Sequence, residues 1–247
     1  MPPHFHVPGA YAKFVPFGVA HVAVMALTAL APGLLALLVR NADRAIDKAF
    51  RYGFAALLVG TWIGWYALFA ARGWLGIGNV LPMNLCDWAT IALLVALLGK
   101  SARAFELAYA WAIAGTLQGL ITPDVNYSFP EPQFVLFMLA HGLIVAAVIY
   151  LVFGTGLRPT RAFIPRVIGW TLTYAAAAGA ADWVLGTNYG FLRAKPTHAT
   201  LFDALSPWPY YLPEVVAIGV AAAFLLYLPW VIGGRLRGTA RTRPAMA

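Results

Sequence analysis

The stretch Leu81-Pro82-Met83-Asn84-Leu85-Cys86-Asp87-Trp88 opens an apolar run that continues to residue 98. At about 1.5 Å of rise per residue, such a run is long enough to cross the hydrocarbon core of a bilayer. Its first part holds the chain's one cysteine and a carboxylate. A charged or reactive group at membrane depth is costly, and marks a functional site by default.

Six further runs resemble it: 17–39, 50–71, 104–121, 134–153, 163–185 and 212–232. They are continuous and rich in Ala and Leu, without the period-two alternation of a transmembrane strand. The expected fold is all-α, a polytopic membrane bundle of seven transmembrane helices over residues 17–232. Residues 1–16 read as an irregular tail and 233–247 as a basic one. The composition agrees: 62% of the 247 residues are hydrophobic and 11% charged, against about 25% charged in a soluble domain. Cations follow the first run rather than precede it, opposite to a cleaved signal peptide. The net charge of +8 points to no nucleic-acid partner, because the cations sit in short clusters between apolar runs. One cysteine excludes an internal disulfide.

Those clusters orient the chain. Alternate connections carry 13 and 4 of the Lys and Arg residues. The richer set belongs in the cytoplasm, which places the N-terminus outside and the C-terminus inside, in a multi-pass protein of the cell membrane.

This orientation sorts the polar residues of the helices by depth. Cys86 falls about 8 Å and His141 about 13 Å from the outer end of their runs. Gln118, His21, Asp182 and Glu214 fall in the outer halves of theirs. Together they predict a polar cavity that opens outward. Glu106 lies at the inner side beside Arg103, and an ion pair is expected there. The outer connection from Gly186 to Tyr211 is long and aromatic, which predicts an ordered interfacial loop. Within it, Arg193 and Lys195 are candidates for a lipid phosphate, or ordinary snorkelling cations.

The chemistry on offer is nucleophilic. A cysteine in the first turns of a helix feels the positive end of the helix dipole, which favours the thiolate. A histidine would complete a nucleophile–base pair, and both His21 and His141 are candidates. Asp87 lies about 100° around the helix from Cys86, placed to orient a histidine rather than to touch the thiol. Asn84, Gln118 and Asn188 are candidate oxyanion donors. Each has a structural alternative: Cys86 as a small core residue, His141 as an interhelical hydrogen bond. No metal set and no cofactor motif is read from the sequence.

A family resemblance rests on Phe17-Gly18-x-x-His21, Leu81-Pro82-x-Asn84-Leu85-Cys86-Asp87, Phe105-Glu106-Leu107-Ala108-Tyr109, Gly115-Thr116-Leu117-Gln118, Thr122-Pro123-Asp124, His141-Gly142 and Gly186-Thr187-Asn188-Tyr189-x-x-Leu192-Arg193-x-Lys195-Pro196. In these motifs and their order the chain resembles the bacterial YwaF-like integral membrane proteins, which are similar to the transmembrane protein 164 family. The resemblance implies a cysteine-dependent acyltransferase acting on membrane phospholipids, with Cys86 as nucleophile and His141 as base; Asp87 would stand as the orienting carboxylate read above. Asn84, Gln118, His21, Asn188, Tyr189, Arg193 and Lys195 would then contact substrate. Met83 departs from the motif. The rival expectations are a lipid or small-molecule binding or transport protein without catalysis, a structural scaffold, and a seven-helix zinc amidohydrolase. The last needs histidines on the final helix, which has none.

Overall fold

The computed structural model describes residues 11–39 and 44–241, with side chains as far as residue 233. The expectations for the first ten residues, for Arg40 and for the side chains of Arg235, Arg237, Arg241 and Arg243 lie outside the described residues. Among those described there are seven helices and no strand. They are α1 (Val19–Val39), α2 (Arg44–Ala71), α3 (Leu85–Gly99), α4, α5 (Pro132–Gly154), α6 (Phe163–Leu185) and α7 (Tyr211–Arg241). Helix α4 is composite: Ala102–Trp111, a π-helical turn at Ala112–Thr116, and a last α-helical stretch at Leu117–Ile121. Helices α1, α2, α5 and α7 are each long and apolar enough to cross a bilayer. The protein is a multi-pass helical membrane protein.

Burial follows the solvent. Val19, Leu27, Leu38, Ile63, Trp183 and Leu225 face outward, while Arg51, Glu106, Glu131 and Asp182 are buried. In lipid there is no water to satisfy polar groups, so they turn inward and pair. Helix α5 is the central post, with 56% of its apolar window buried, whereas α7 is peripheral at 6%.

Helix boundaries differ from the expected runs where polar side chains cap or bridge. Helix α2 starts at Arg44, not 50, because its charges are satisfied within the fold. Arg51 Nε bonds Asp47 at 3.1 Å, Lys100 Nζ reaches Asp47 at 2.7 Å, and the Tyr150 hydroxyl donates to it at 3.2 Å. Arg51 also donates to the Leu97 carbonyl, near the end of α3, where carbonyls lack intrahelical partners. Helix α3 starts at Leu85 rather than Leu81 and has 15 residues. Asn84 is extended at the N-cap (φ −84°, ψ 156°), so Leu81–Asn84 is a turn and Cys86 is the second residue of the helix. Helix α7 runs past residue 232 to Arg241.

Connections alternate between two ends of the bundle. At one end, Phe14 N–H bonds the Asn126 carbonyl at 3.0 Å, Arg72 pairs with Glu131 at 2.6 Å, and the Tyr189 hydroxyl donates to the Ile77 carbonyl at 2.5 Å. These contacts tie residues 11–16 and the α2–α3, α4–α5 and α6–α7 connections together. The opposite end holds the Asp47–Lys100 bridge and a second acid, Glu106. The Glu106 ion pair exists, but its partner is Arg166 of α6, not Arg103. Its other oxygen accepts from Thr160 N–H at 2.6 Å. Sequence proximity favoured Arg103, whereas the α4–α6 packing presents Arg166 to the buried face.

Candidate functional site

The start of α3 and the middle of α5 converge on one face of α4. A Cβ placed at Gly115 would lie 2.8 Å from Leu85 Cδ2. One placed at Gly119 would lie 3.0 Å from His141 Cδ2 and 3.2 Å from its Nε2. The two glycines are four residues apart, about 6 Å along a helix. Leu85 and His141 therefore lie against successive turns of α4, with Cys86 next to Leu85. Small residues at this spacing let helix backbones approach closely. The π-helical turn that contains Gly115 is a feature often found at functional sites.

The tautomer of His141 follows from its partner. Its Nδ1 lies 2.9 Å from the Phe137 carbonyl, which can only accept, so Nδ1 carries the hydrogen. Nε2 is then the unprotonated nitrogen, directed at the Gly119 face. The Phe137 ring, stacked at 4.0 Å between centroids, fixes the imidazole plane. Among the described residues no hydrogen bond joins Cys86 to His141, and catalytic contacts commonly tighten only when substrate is bound.

His21 is spent. Its Nδ1 accepts from Phe17 N–H at 3.0 Å and its Nε2 donates to the Leu120 carbonyl at 2.7 Å. Of the two histidines, only His141 keeps a nitrogen for chemistry. Asp87 folds back onto its own helix, where Oδ2 accepts from Asn84 N–H at 2.9 Å. It supports the first turn of α3, and its hydrogen bond goes to no histidine. Asn84 Oδ1 is turned to Gly190 N–H at 3.2 Å, which joins the α6–α7 loop to the start of α3.

The other loop residues hold the loop. Asn188 Oδ1 accepts from the N–H groups of Arg193 and Ala194 at 2.8 and 2.9 Å, and its amide donates to the Ala194 carbonyl. The Tyr189 hydroxyl accepts from Leu81 N–H at 3.2 Å as well as donating to Ile77, and burial pushes its phenol up. Arg193 Nη1 donates to the Asp182 and Thr187 carbonyls at 3.1 and 3.4 Å, a cation at the C-terminus of α6. Lys195 Nζ donates to the Leu205 carbonyl at 2.7 Å. Arg193 is exposed and keeps further N–H donors.

Of the six groups expected at one depth, three are committed elsewhere: His21 as above, Asp182 to Thr187 and Tyr189, and Glu214 to Ser206. Of the other three, His141 meets the glycine face of α4 at Gly119, and Cys86 follows Leu85, which meets it at Gly115. A concave space of about 370 Å³ lies on the other side of α5, between α1, α2 and α5. It is apolar, lined by Leu27, Phe54, Phe134, Met138 and Gly142 among others.

Two features escaped the sequence reading. The Gly115-x-x-x-Gly119 spacing was visible and would have flagged the close approach. Tyr174 was not, because it sits inside an apolar run like any core aromatic. Its O–H is buried and finds no acceptor among the described residues, and Thr116 Oγ1 and Asp182 Oδ2 are buried without a hydrogen-bond partner there.

In comparisons with known proteins, the model of the TMEM164 family matches residues 16–227. No curated protein and no solved structure matches the chain.

Proposed function

Because the chain belongs to the TMEM164 family, we propose that it is a phospholipid acyl-transfer enzyme of the cell membrane that works through a thioester on Cys86. The observation that carries this reading is the convergence of Leu85, the chain neighbour of Cys86, and His141 on Gly115 and Gly119, with His141 Nε2 left free of hydrogen.

In the proposed reaction His141 Nε2 takes the thiol proton of Cys86. The sulfur attacks the acyl ester carbon, and the carbonyl electron pair moves onto oxygen. The tetrahedral species collapses, the C–O bond breaks, and the leaving alkoxide of the lysophospholipid takes the proton from the imidazolium. A hydroxyl of a second lysophospholipid, or water, then gives its proton to His141 and attacks the thioester. Cys86 departs as thiolate and recovers the proton. At the start of α3 the Asp87 and Trp88 N–H groups bond the Asn84 carbonyl, which leaves the Cys86 N–H to face developing negative charge. Asp87 holds the first turn in place, Asn84 and Gln118 border the site, and the spare donors of Arg193 are available to a lipid phosphate.

The orientation proposed from the cation bias is N-terminus outside, with the site toward the outer leaflet. A lipid-binding role without catalysis is favoured by the apolar groove beside α5. Turnover decides between the two. Purified protein is given phosphatidylcholine with a labelled acyl chain and a lysophospholipid acceptor. Transfer should occur with the wild type and be lost in Cys86→Ala and His141→Ala. If both variants transfer acyl groups at the wild-type rate, the scheme is wrong. If Cys86→Ser binds lipid normally and the wild type turns nothing over, the protein is a binding protein.

A further inference from the structure

Tyr174 of α6 is 5% exposed, and its O–H finds no acceptor among the described residues. A buried unpaired hydroxyl is unfavourable, and in a native fold it calls for an explanation. The position of this one is well defined. Its ring meets Trp88 edge to face at 5.4 Å between centroids. Its oxygen faces the main-chain N–H of Leu85, the first residue of α3 and the chain neighbour of Cys86. Gly190 closes the other side: a Cβ there would collide with the phenol oxygen, and its φ of +60° is left-handed. Glycine is thus required twice, to make the turn and to leave room for the hydroxyl. Gly190 N–H is itself bonded to Asn84, so the loop that makes this room is fastened to the N-cap of α3.

The phenol therefore brings an O–H without an acceptor to the first turn of α3, where the Asp87 and Trp88 N–H groups bond the Asn84 carbonyl and the Cys86 N–H is bonded to no main-chain carbonyl among the described residues. We infer that Tyr174 is a further catalytic residue, its O–H donating to the acyl carbonyl oxygen as Cys86 attacks. This rests on Cys86 being the nucleophile. The donor set for the oxyanion is then the Cys86 N–H plus the Tyr174 O–H. Tyr174 neither gains nor loses its proton overall: it donates a hydrogen bond more strongly as charge builds on the oxygen, and relaxes when the tetrahedral species collapses.

The test is the rate of Cys86 acylation in nanodiscs of phosphatidylcholine and phosphatidylethanolamine, followed by intact mass. Tyr174→Phe should slow acylation by about a hundredfold, the usual cost of one oxyanion donor. Alkylation of Cys86 by iodoacetamide, which builds no oxyanion, should keep its rate. The melting temperature should not fall, because only an unpaired hydroxyl is removed. Acylation at the wild-type rate overturns the inference, as does a loss matched by equal loss of alkylation. As a second variant, 3-fluorotyrosine at position 174 keeps the ring and makes the phenol a stronger donor. It should acylate at least as fast as wild type, and a loss like that of Tyr174→Phe overturns the inference. A wild type that forms no adduct overturns the Cys86 reading itself, and this inference with it.

Discussion

His21 and His141 are both histidines on apolar helices, and only their hydrogen bonds separate them. His21 uses both nitrogens to join the start of α1 to the Leu120 carbonyl near the end of α4. His141 uses one and presents the other to α4. The two should therefore fail differently. His21→Ala leaves a buried carbonyl and an N–H without their partner, a loss of about 1–3 kcal/mol. It should lower the melting temperature while folded molecules keep their rate of acyl transfer. His141→Ala should lower that rate by about 10² or more, the usual worth of a general base, with a smaller change in melting temperature. Thermal melts and turnover on the same preparations check both. The sequence could not make this distinction, because a side chain's partners come from other helices. The same holds for Tyr174, whose environment is assembled from α3 and the α6–α7 loop.

At the scale of elements, the apolar runs were legible because a bilayer demands them, and each of the seven expected runs falls on a helix, with bounds that differ most at α2, α3 and α7. The start of α3 was less legible. Pro82 is tolerated in a first turn, so the apolar pattern alone extended the helix to Leu81. In the structure Asn84 takes the N-cap and Asp87 accepts its N–H, which moves Cys86 to the helix end. The π-helical turn of α4 had no signature beyond Gly115 and Thr116. Its function in this account is to bring Gly115 and Gly119 under Leu85 and His141. Gly119→Val should push the imidazole aside and reduce acyl transfer by more than about tenfold, while iodoacetamide still alkylates Cys86 at the normal rate. An unchanged transfer rate would show that the imidazole position on α4 does not matter.

For the whole molecule, the two ends differ in character. One end carries the Asp47–Arg51–Lys100 and Glu106–Arg166 clusters. The other carries Arg72–Glu131 and the His198–Asp124 contact that joins two loops. The orientation proposed from the cation bias puts the first end in the cytoplasm. In a Cys86→Ala background, a membrane-impermeant thiol reagent on intact cells should label Ala199→Cys at once. Arg161→Cys should react only after permeabilisation. The reverse pattern would invert the orientation and move the site to the inner leaflet.

A thioester on Cys86 can be weighed directly. Wild type and Cys86→Ala are incubated in phospholipid nanodiscs, quenched in acid and weighed intact. The wild type should gain the mass of one acyl chain, removed by hydroxylamine and absent from Cys86→Ala. Acyl transfer proceeding without any such mass, or an equal adduct on Cys86→Ala, would contradict it.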